Sequence, residues 1–190
     1  MYTHCDKPPL NVLLFGDTGV GKSSIINLIM GQNVADVSDV PHSVVEHTTY
    51  EVNFEGRLFK LREVSSIASM NFLRRFFAHR RLKKLYDKLY RESGVYLLLY
   101  CMRGPSVPSA LPKDYKYMTN TTNRVPIAAV INGLEGSLNT MDDWWTENKQ
   151  ALEHVGMHFS KHACITSLSD DPSTLRSHEA ICSLIYDSLT

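Results

Sequence analysis

Short apolar runs alternate with stretches of helical spacing along the chain, and this alternation begins near the N-terminus. Residues 11–15 form a short apolar run, and residues 22–30 follow with Ile25, Ile26 and Ile29 at helical spacing. Further strands are predicted at 50–54, 58–61, 95–101, 127–131 and 162–166, and further helices at 70–91, 114–121, 142–154 and 173–189. The pattern therefore predicts strands and helices in alternation.

A turn signal separates the second and third predicted strands. Glu55 and Gly56 stand between two runs of strand-forming residues, which predicts an antiparallel hairpin. Together with the alternation, this predicts an α/β fold, a doubly wound, mostly parallel sheet with one antiparallel edge hairpin. We expect a single domain over residues 1–190, with residues 1–9 as a flexible N-terminal lead.

Composition narrows the functional classes. The chain has 190 residues, and its 20 Lys and Arg balance its 20 Asp and Glu, so no overall positive charge favours DNA. The longest apolar stretch, residues 95–102, is too short to cross a bilayer, and we expect no signal peptide and no lipid tail. The four cysteines form no CxxC pair, and three lie in or beside apolar runs, as reduced thiols do. A cytoplasmic location is expected.

Residues 16–23 carry the clearest chemical signal. They fit the pattern GxxxxGK[ST], directly after a predicted strand and before a predicted helix. Glycines in such a loop let backbone N–H groups surround phosphate oxygens, Lys22 would reach the β- and γ-phosphates, and Ser23 would ligate Mg²⁺. The residues expected to contact nucleotide are Gly16, Asp17, Thr18, Gly19, Val20, Gly21, Lys22, Ser23 and Ser24. The alternative is a glycine-rich turn without a ligand.

The order of motifs resembles that of Ras-like and translation-factor-class small GTPases over essentially the whole chain. Residues 16–24 look most like septins and immunity-associated GTPases, whereas residues 132–135, 144–145 and 162–164 resemble uncharacterised single-domain fungal G proteins. The resemblance implies a single G domain that binds GTP or GDP with Mg²⁺. It also implies loops at 32–49 and 64–72 that switch between nucleotide states, and it leaves a homodimer open.

By that resemblance, residues 63–66 replace the DxxG motif. Glu63 would hold a Mg²⁺-bound water, and Ser66 would offer its N–H to the γ-phosphate without glycine's conformational freedom. The threonine that senses Mg²⁺ and γ-phosphate would be Thr48 or Thr49. Alternatively, Glu63 is a solvated strand end and the threonines are ordinary strand formers.

Hydrolysis is expected to be slow. Ile67 stands where Ras-like proteins have a glutamine that positions water, and it cannot orient a nucleophile by hydrogen bonding. Thr18 hinders an arginine finger from a partner, and Gly19 stands where a potassium-dependent mechanism usually needs Asn. A pseudo-GTPase scaffold remains the alternative function. An ATP-using P-loop kinase is disfavoured by the hairpin and by the Asn after the fifth strand.

Guanine would be read by residues 132–135, which replace the [NT]KxD motif. Asn132 can tie this segment to the phosphate loop, and Glu135 keeps a carboxylate for the guanine ring. Gly133 has no side chain to cover the base. A loop after the last strand would add backbone contacts at Ser167 and Leu168.

The basic helix and the tryptophan pair each have a structural explanation as well as a functional one. The predicted helix 70–91 carries eight Lys or Arg against one Asp, which suits an effector or other acidic partner but also a solvated helix face. Trp144 or Trp145 would stack on the base or pack in the core. Three histidines near Cys164 need not share a helix face, because Gly156 interrupts the helix between them, so we expect no zinc site.

Overall fold

A computed structural model describes residues 7–36, 48–66, 71–105, 107–122, 125–135 and 141–189, with Phe72 and Arg74 as backbone only. Six strands lie within these ranges: β1 Leu10–Gly16, β2 Thr49–Phe54, β3 Arg57–Glu63, β4 Val95–Arg103, β5 Ile127–Asn132 and β6 Lys161–Cys164. The helices are α1 Lys22–Met30, α2 Phe72–Glu92, α3 Lys113–Thr122, α4 Met141–His154 and α5 Thr174–Asp187.

All six strands belong to one sheet of order β2-β3-β1-β4-β5-β6. Strands β2 and β3 pair antiparallel, and every other neighbouring pair is parallel. The register aligns Leu14 with Glu63, Gly16 with Cys101, and Arg103 with Asn132. Because parallel strands end at the same edge, the loops after β1, β3, β4 and β5 meet there. The predicted fold class is confirmed.

The core has two layers, one on each face of the sheet. Alternation along β1 sends Val12 and Leu14 toward α1 and α5, and Leu13 and Phe15 toward α2, α3 and α4. These four side chains are at most 1% exposed. Strand β5 is buried on both faces, as expected for a parallel strand covered by helices. A rigid sheet therefore supports the loops at its carboxyl edge.

The predicted elements all exist, with small differences at their ends. Strand β6 ends at Cys164 instead of 166, although the Ile165 N–H still donates to the Ile131 carbonyl at 2.8 Å. Cys101 and Cys164 are buried free thiols, and Cys182 is a half-buried one, as predicted. No helix in the described part of the chain is long and apolar enough to span a membrane. Most of the N-terminal lead lies outside the described residues.

Candidate nucleotide site

The phosphate loop joins β1 to α1, and two of its glycines cannot carry a side chain. A Cβ on Gly16, at φ +145°, would lie 2.2 Å from the carbonyl oxygen of Cys101 on β4. A Cβ on Gly21, at φ +88°, would lie 2.5 Å from Nδ2 of Asn132. Gly16 thus allows the close approach of β4, Gly21 allows that of the Asn132 side chain, and both have backbone angles that other residues rarely adopt.

Lys22 turns back over the phosphate loop. Its side chain is buried, and Nζ donates to the carbonyls of Gly16 at 3.2 Å and Asp17 at 2.9 Å. The Asp17 carboxylate in turn accepts the N–H of Thr18 at 2.8 Å. A buried ammonium needs such partners, because desolvation without them is costly. The loop therefore holds a positive charge at its centre, where an anion would be stabilised.

Two of the three residues predicted at the Mg²⁺ site, Ser23 and Glu63, come together. Ser23 at the start of α1 donates its hydroxyl to Oε2 of Glu63 at the end of β3, at 2.8 Å. The sheet fixes this approach, because the N–H of Val64 continues the β1–β3 ladder to the Leu14 carbonyl at 2.8 Å. Hard oxygen ligands of this kind suit Mg²⁺. Glu63 is thus engaged at the phosphate loop rather than being a solvated strand end.

Ser66 also lies against the phosphate loop, through its side chain. Its hydroxyl is 2.8 Å from Oδ2 of Asp114 on α3 and 3.2 Å from Oδ1 of Asp17. Ser66 and Asp114 are both buried. The contact between residue 66 and α3 is made by the serine hydroxyl. Asp114 therefore borders the candidate site, although no motif in the sequence pointed to it. Ile67 lies outside the described residues.

The two candidate switch threonines differ in their surroundings. Thr49 begins β2, and its hydroxyl accepts a hydrogen bond from Nη1 of Arg62 on the paired strand β3. Thr48 precedes the strand and is exposed. The sheet therefore uses the Thr49 hydroxyl, whereas Thr48 stands outside the β2–β3 ladder. Most of the predicted switching segments, residues 37–47 and 67–70, lies outside the described residues.

Asn132 ties the end of β5 to the phosphate loop, as the sequence predicts. Its Nδ2 donates to the Val20 carbonyl at 3.3 Å. Asn132 is 7% exposed, and its Oδ1 has no hydrogen-bond partner among the described residues. Buried amide oxygens are usually satisfied, so an unpaired one beside the phosphate loop suits a site that a polar ligand completes.

Glu135 and the loop after β6 also meet. Thr166 donates its hydroxyl to Oε2 of Glu135 at 3.1 Å and accepts the N–H of Leu168 at 3.3 Å. The Ser167 hydroxyl oxygen lies 3.9 Å from where a Cβ on Gly21 would be. The loops after β1, β5 and β6 therefore form one continuous wall.

The tryptophans pack instead of standing free. Trp144 donates its indole N–H to the Gly104 carbonyl at 2.6 Å. Trp145 stacks on His162, with ring centroids 4.2 Å apart and planes 6° apart. Burial lowers the pKa of His162. Both tryptophans are thus engaged in packing, and no cluster of three metal-binding side chains exists within the described residues.

Helix α2 exposes both charge and apolar surface. Arg80, Arg81 and Lys84 are exposed, and so are Phe76 at 51% and Phe77 at 57%. Its opposite stripe, including Leu82 and Leu89, is buried in the core. The apolar stripe anchors α2 to the sheet, and the exposed face remains a candidate surface for a partner.

Residues 11–133 match a family model described as 50S ribosome-binding GTPase. Among curated proteins, GTPase Der of Campylobacter concisus is 25% identical over 158 residues, which is 83% of this chain and 32% of the relative. The tRNA modification GTPase MnmE of Malacoplasma penetrans is 36% identical over 58 residues, which is 30% of this chain and 13% of the relative. The chain spans about a third of the length of the GTPase Der relatives that it matches.

Solved structures show the same fold. A dimerisation-deficient mutant of Toc33 from Arabidopsis thaliana aligns with a TM-score of 0.65 at 15% identity, covering 96% of this chain and 86% of that one. Era from Aquifex aeolicus, bound to GDP and aluminium fluoride, aligns with a TM-score of 0.65 at 14% identity, covering 91% of this chain and 56% of that one.

Proposed function

The chain belongs to the family of 50S ribosome-binding GTPases, and from this premise we propose that it binds guanine nucleotide and hydrolyses GTP slowly. One observation carries the proposal. Three loops that are distant in sequence form one wall, joined by the bond from Asn132 to the Val20 carbonyl and the bond from Thr166 to Glu135. Such a wall offers a phosphate-binding loop at one end and a carboxylate at the other.

In this proposal the phosphates occupy the loop of residues 16–23. Lys22 exchanges its bonds to the Gly16 and Asp17 carbonyls for bonds to phosphate oxygens, which are stronger because both partners are charged. The start of α1 contributes its positive end. The base lies further along the wall, where Glu135 accepts from the guanine ring and the backbone near Ser167 and Leu168 lines the same edge.

The oxygen ligands at the phosphate loop fit Mg²⁺. The Ser23 hydroxyl oxygen and Oε2 of Glu63 are 2.8 Å apart, and the exposed Thr48 is the threonine that would join them. Bound Mg²⁺ would neutralise charge on the phosphates. Ser23 and Glu63 would hold the cation, and Lys22 would bind phosphate oxygens at the neighbouring loop.

Slow hydrolysis follows from the groups at residues 63–67. Ile67 offers no side-chain hydrogen bond to a water molecule, and the Ser66 hydroxyl is engaged with Asp114 and Asp17. We expect a rate at or below about 10⁻⁴ s⁻¹, the order of intrinsic small-GTPase turnover. A phosphate-release assay on purified protein with GTP and Mg²⁺ measures it. Turnover many times faster without a partner would contradict the assignment of these residues.

A second candidate is a pseudo-GTPase that binds nucleotide as a scaffold. The bond of Ser66 to Asp114 favours it, because a segment anchored to α3 moves less readily toward a γ-phosphate. Single-turnover measurement separates the two functions. Release of one phosphate per protein over hours supports the slow enzyme, and intact GTP after that time supports the scaffold.

Partners and location complete the proposal. The exposed basic face of α2 suits an effector or other acidic partner. A homodimer is a further arrangement to test, since dimerisation is named as important for the GTPase activity of atToc33 and psToc159. We propose a cytoplasmic protein without DNA binding. We propose that it is related to the single-domain fungal G proteins that it resembles, with substituted DxxG and [NT]KxD motifs.

A further inference from the structure

Arg103 lies at the wall of the candidate site, although no motif points to it. It ends β4 directly opposite Asn132 of β5, and its side chain is exposed. A Cβ placed on Gly133 would lie 3.6 Å from Nε of Arg103, 3.9 Å from its Nη2 and 4.0 Å from Oε1 of Glu135. The guanidinium and the carboxylate therefore flank the open side of Gly133.

The backbone directly after Arg103 is held by two hydrogen bonds. The Gly104 N–H donates to the Asn132 carbonyl at 2.8 Å, and the Gly104 carbonyl accepts from Nε1 of Trp144 at 2.6 Å. A Cβ on Gly104 would meet the Leu134 side chain at 2.1 Å, so this segment packs tightly on the loop of Glu135. Such support fixes the backbone from which the Arg103 side chain extends.

The space beside Arg103 is open and continuous with the phosphate loop. A cleft of about 350 Å³ is bordered by Thr18, Val20 and Arg103, among others. Arg103 presents a planar cation at the border of this cleft, and the Glu135 carboxylate, which is suited to ring N–H donors, lies beside Gly133. Guanidinium planes stack on aromatic faces, and nucleobases offer such a face.

We propose that Arg103 stacks its guanidinium on the face of the bound guanine, in the space that Gly133 leaves free. This inference rests on the proposed nucleotide binding and adds a specificity-determining residue to it. Arg103 then supplies a face contact while Glu135 reads the edge of the ring. A side chain longer than a methyl group at Gly133 would extend toward the guanidinium, and the φ of +80° at this position also favours glycine.

A contact with the phosphates is the main alternative, and the experiment separates it. The affinity of nucleotide-free protein is measured for GDP and for inorganic pyrophosphate, which has the phosphates without the base. Wild type, Arg103→Ala, Arg103→Lys and Arg103→Trp are compared. Arg91→Ala, an exposed position on α2, is the matched control for loss of one positive charge.

We expect Arg103→Ala to weaken GDP binding about 3- to 30-fold while pyrophosphate binding changes less than about twofold. Arg103→Lys recovers little because it lacks the plane, and Arg103→Trp recovers most of the GDP affinity because it restores a stacking surface. Equal weakening of GDP and pyrophosphate would overturn the proposal, and so would unchanged GDP binding in Arg103→Ala. Wild-type protein that binds no GDP would instead refute the proposed function itself.

Discussion

Replacing Glu135 by alanine tests how the site distinguishes guanine from other bases. The carboxylate accepts one hydrogen bond from Thr166 through Oε2 at 3.1 Å, which leaves acceptor capacity for the ring N–H and the exocyclic amine of guanine. Because both bonds would involve a charged acceptor, their loss should cost about 2–4 kcal/mol, or about 30- to 1000-fold in GTP affinity. ATP presents no matching pair of donors, so its weak binding should hardly change.

Competition titrations with GTP, ITP, XTP and ATP provide the assay. ITP lacks the exocyclic amine, so wild type should bind it about tenfold more weakly than GTP, and the ratio should fall close to one in Glu135→Ala. XTP carries a carbonyl in place of that amine and should bind wild type poorly, because two acceptors would face each other. Glu147→Ala, an exposed carboxylate on α4, is the matched control.

A conservative variant adds a second check on Glu135. Glu135→Asp keeps the charge but shortens the side chain, which draws the carboxylate away from Thr166. It should bind GTP more weakly than wild type, although aspartate is the residue of the resembled motif. Equal preference for GTP over ITP in wild type and Glu135→Ala would refute the reasoning and move base reading to the backbone around Leu168.

Three other predictions address the metal ligands and the core. Glu63→Gln can keep a hydrogen bond to Ser23 but loses the charge, so it should raise the Mg²⁺ concentration needed for GTP binding about tenfold. A metal titration measures this concentration, and an unchanged value would exclude Glu63 from the metal site. Thr48→Ala should weaken Mg²⁺-dependent GTP binding, whereas Thr49→Ala should instead lower the melting temperature, because Arg62 donates to the Thr49 hydroxyl; the reverse pattern would exchange their roles. Burial raises the pKa of the Cys101 thiol from 9.0 to about 12, so its contribution to stability is present below pH 9 and lost as the pH rises toward 12. When the folded protein is treated with a thiol reagent at pH 8, mass spectrometry of the peptide that contains Cys101 should therefore find little labelling. Rapid labelling would contradict the burial of this thiol.

The sequence predicts the fold well because the fold depends on local patterns. Residues 127–131 are apolar at every position, and in the structure they form a strand buried on both faces. The phosphate loop is equally local, since eight consecutive residues contain the whole motif. The GTPase family that the order of motifs resembles is confirmed by the match over residues 11–133.

Contacts between distant loops could not be predicted in the same way. Asp114 reaches Ser66 only because α3 packs against β1, next to the segment that follows β3. Arg103 borders Gly133 only because β4 and β5 pair in one register. Neither residue belongs to a motif, so spacing along the chain carries no signal for it. The loop after β6 is similar, since the bond from Thr166 to Glu135 joins residues 31 positions apart.

The most direct test of nucleotide binding is a titration of wild type and Lys22→Ala with GTP and GDP, with and without Mg²⁺. Lys22 is buried at the centre of the phosphate loop and donates there to two carbonyl oxygens. Lys84→Ala on the exposed face of α2 controls for the loss of a positive charge. We predict that Lys22→Ala weakens both nucleotides about 10- to 100-fold, and that Lys84→Ala leaves them unchanged. Equal affinity in wild type and Lys22→Ala would contradict the assignment of residues 16–23 as the phosphate site.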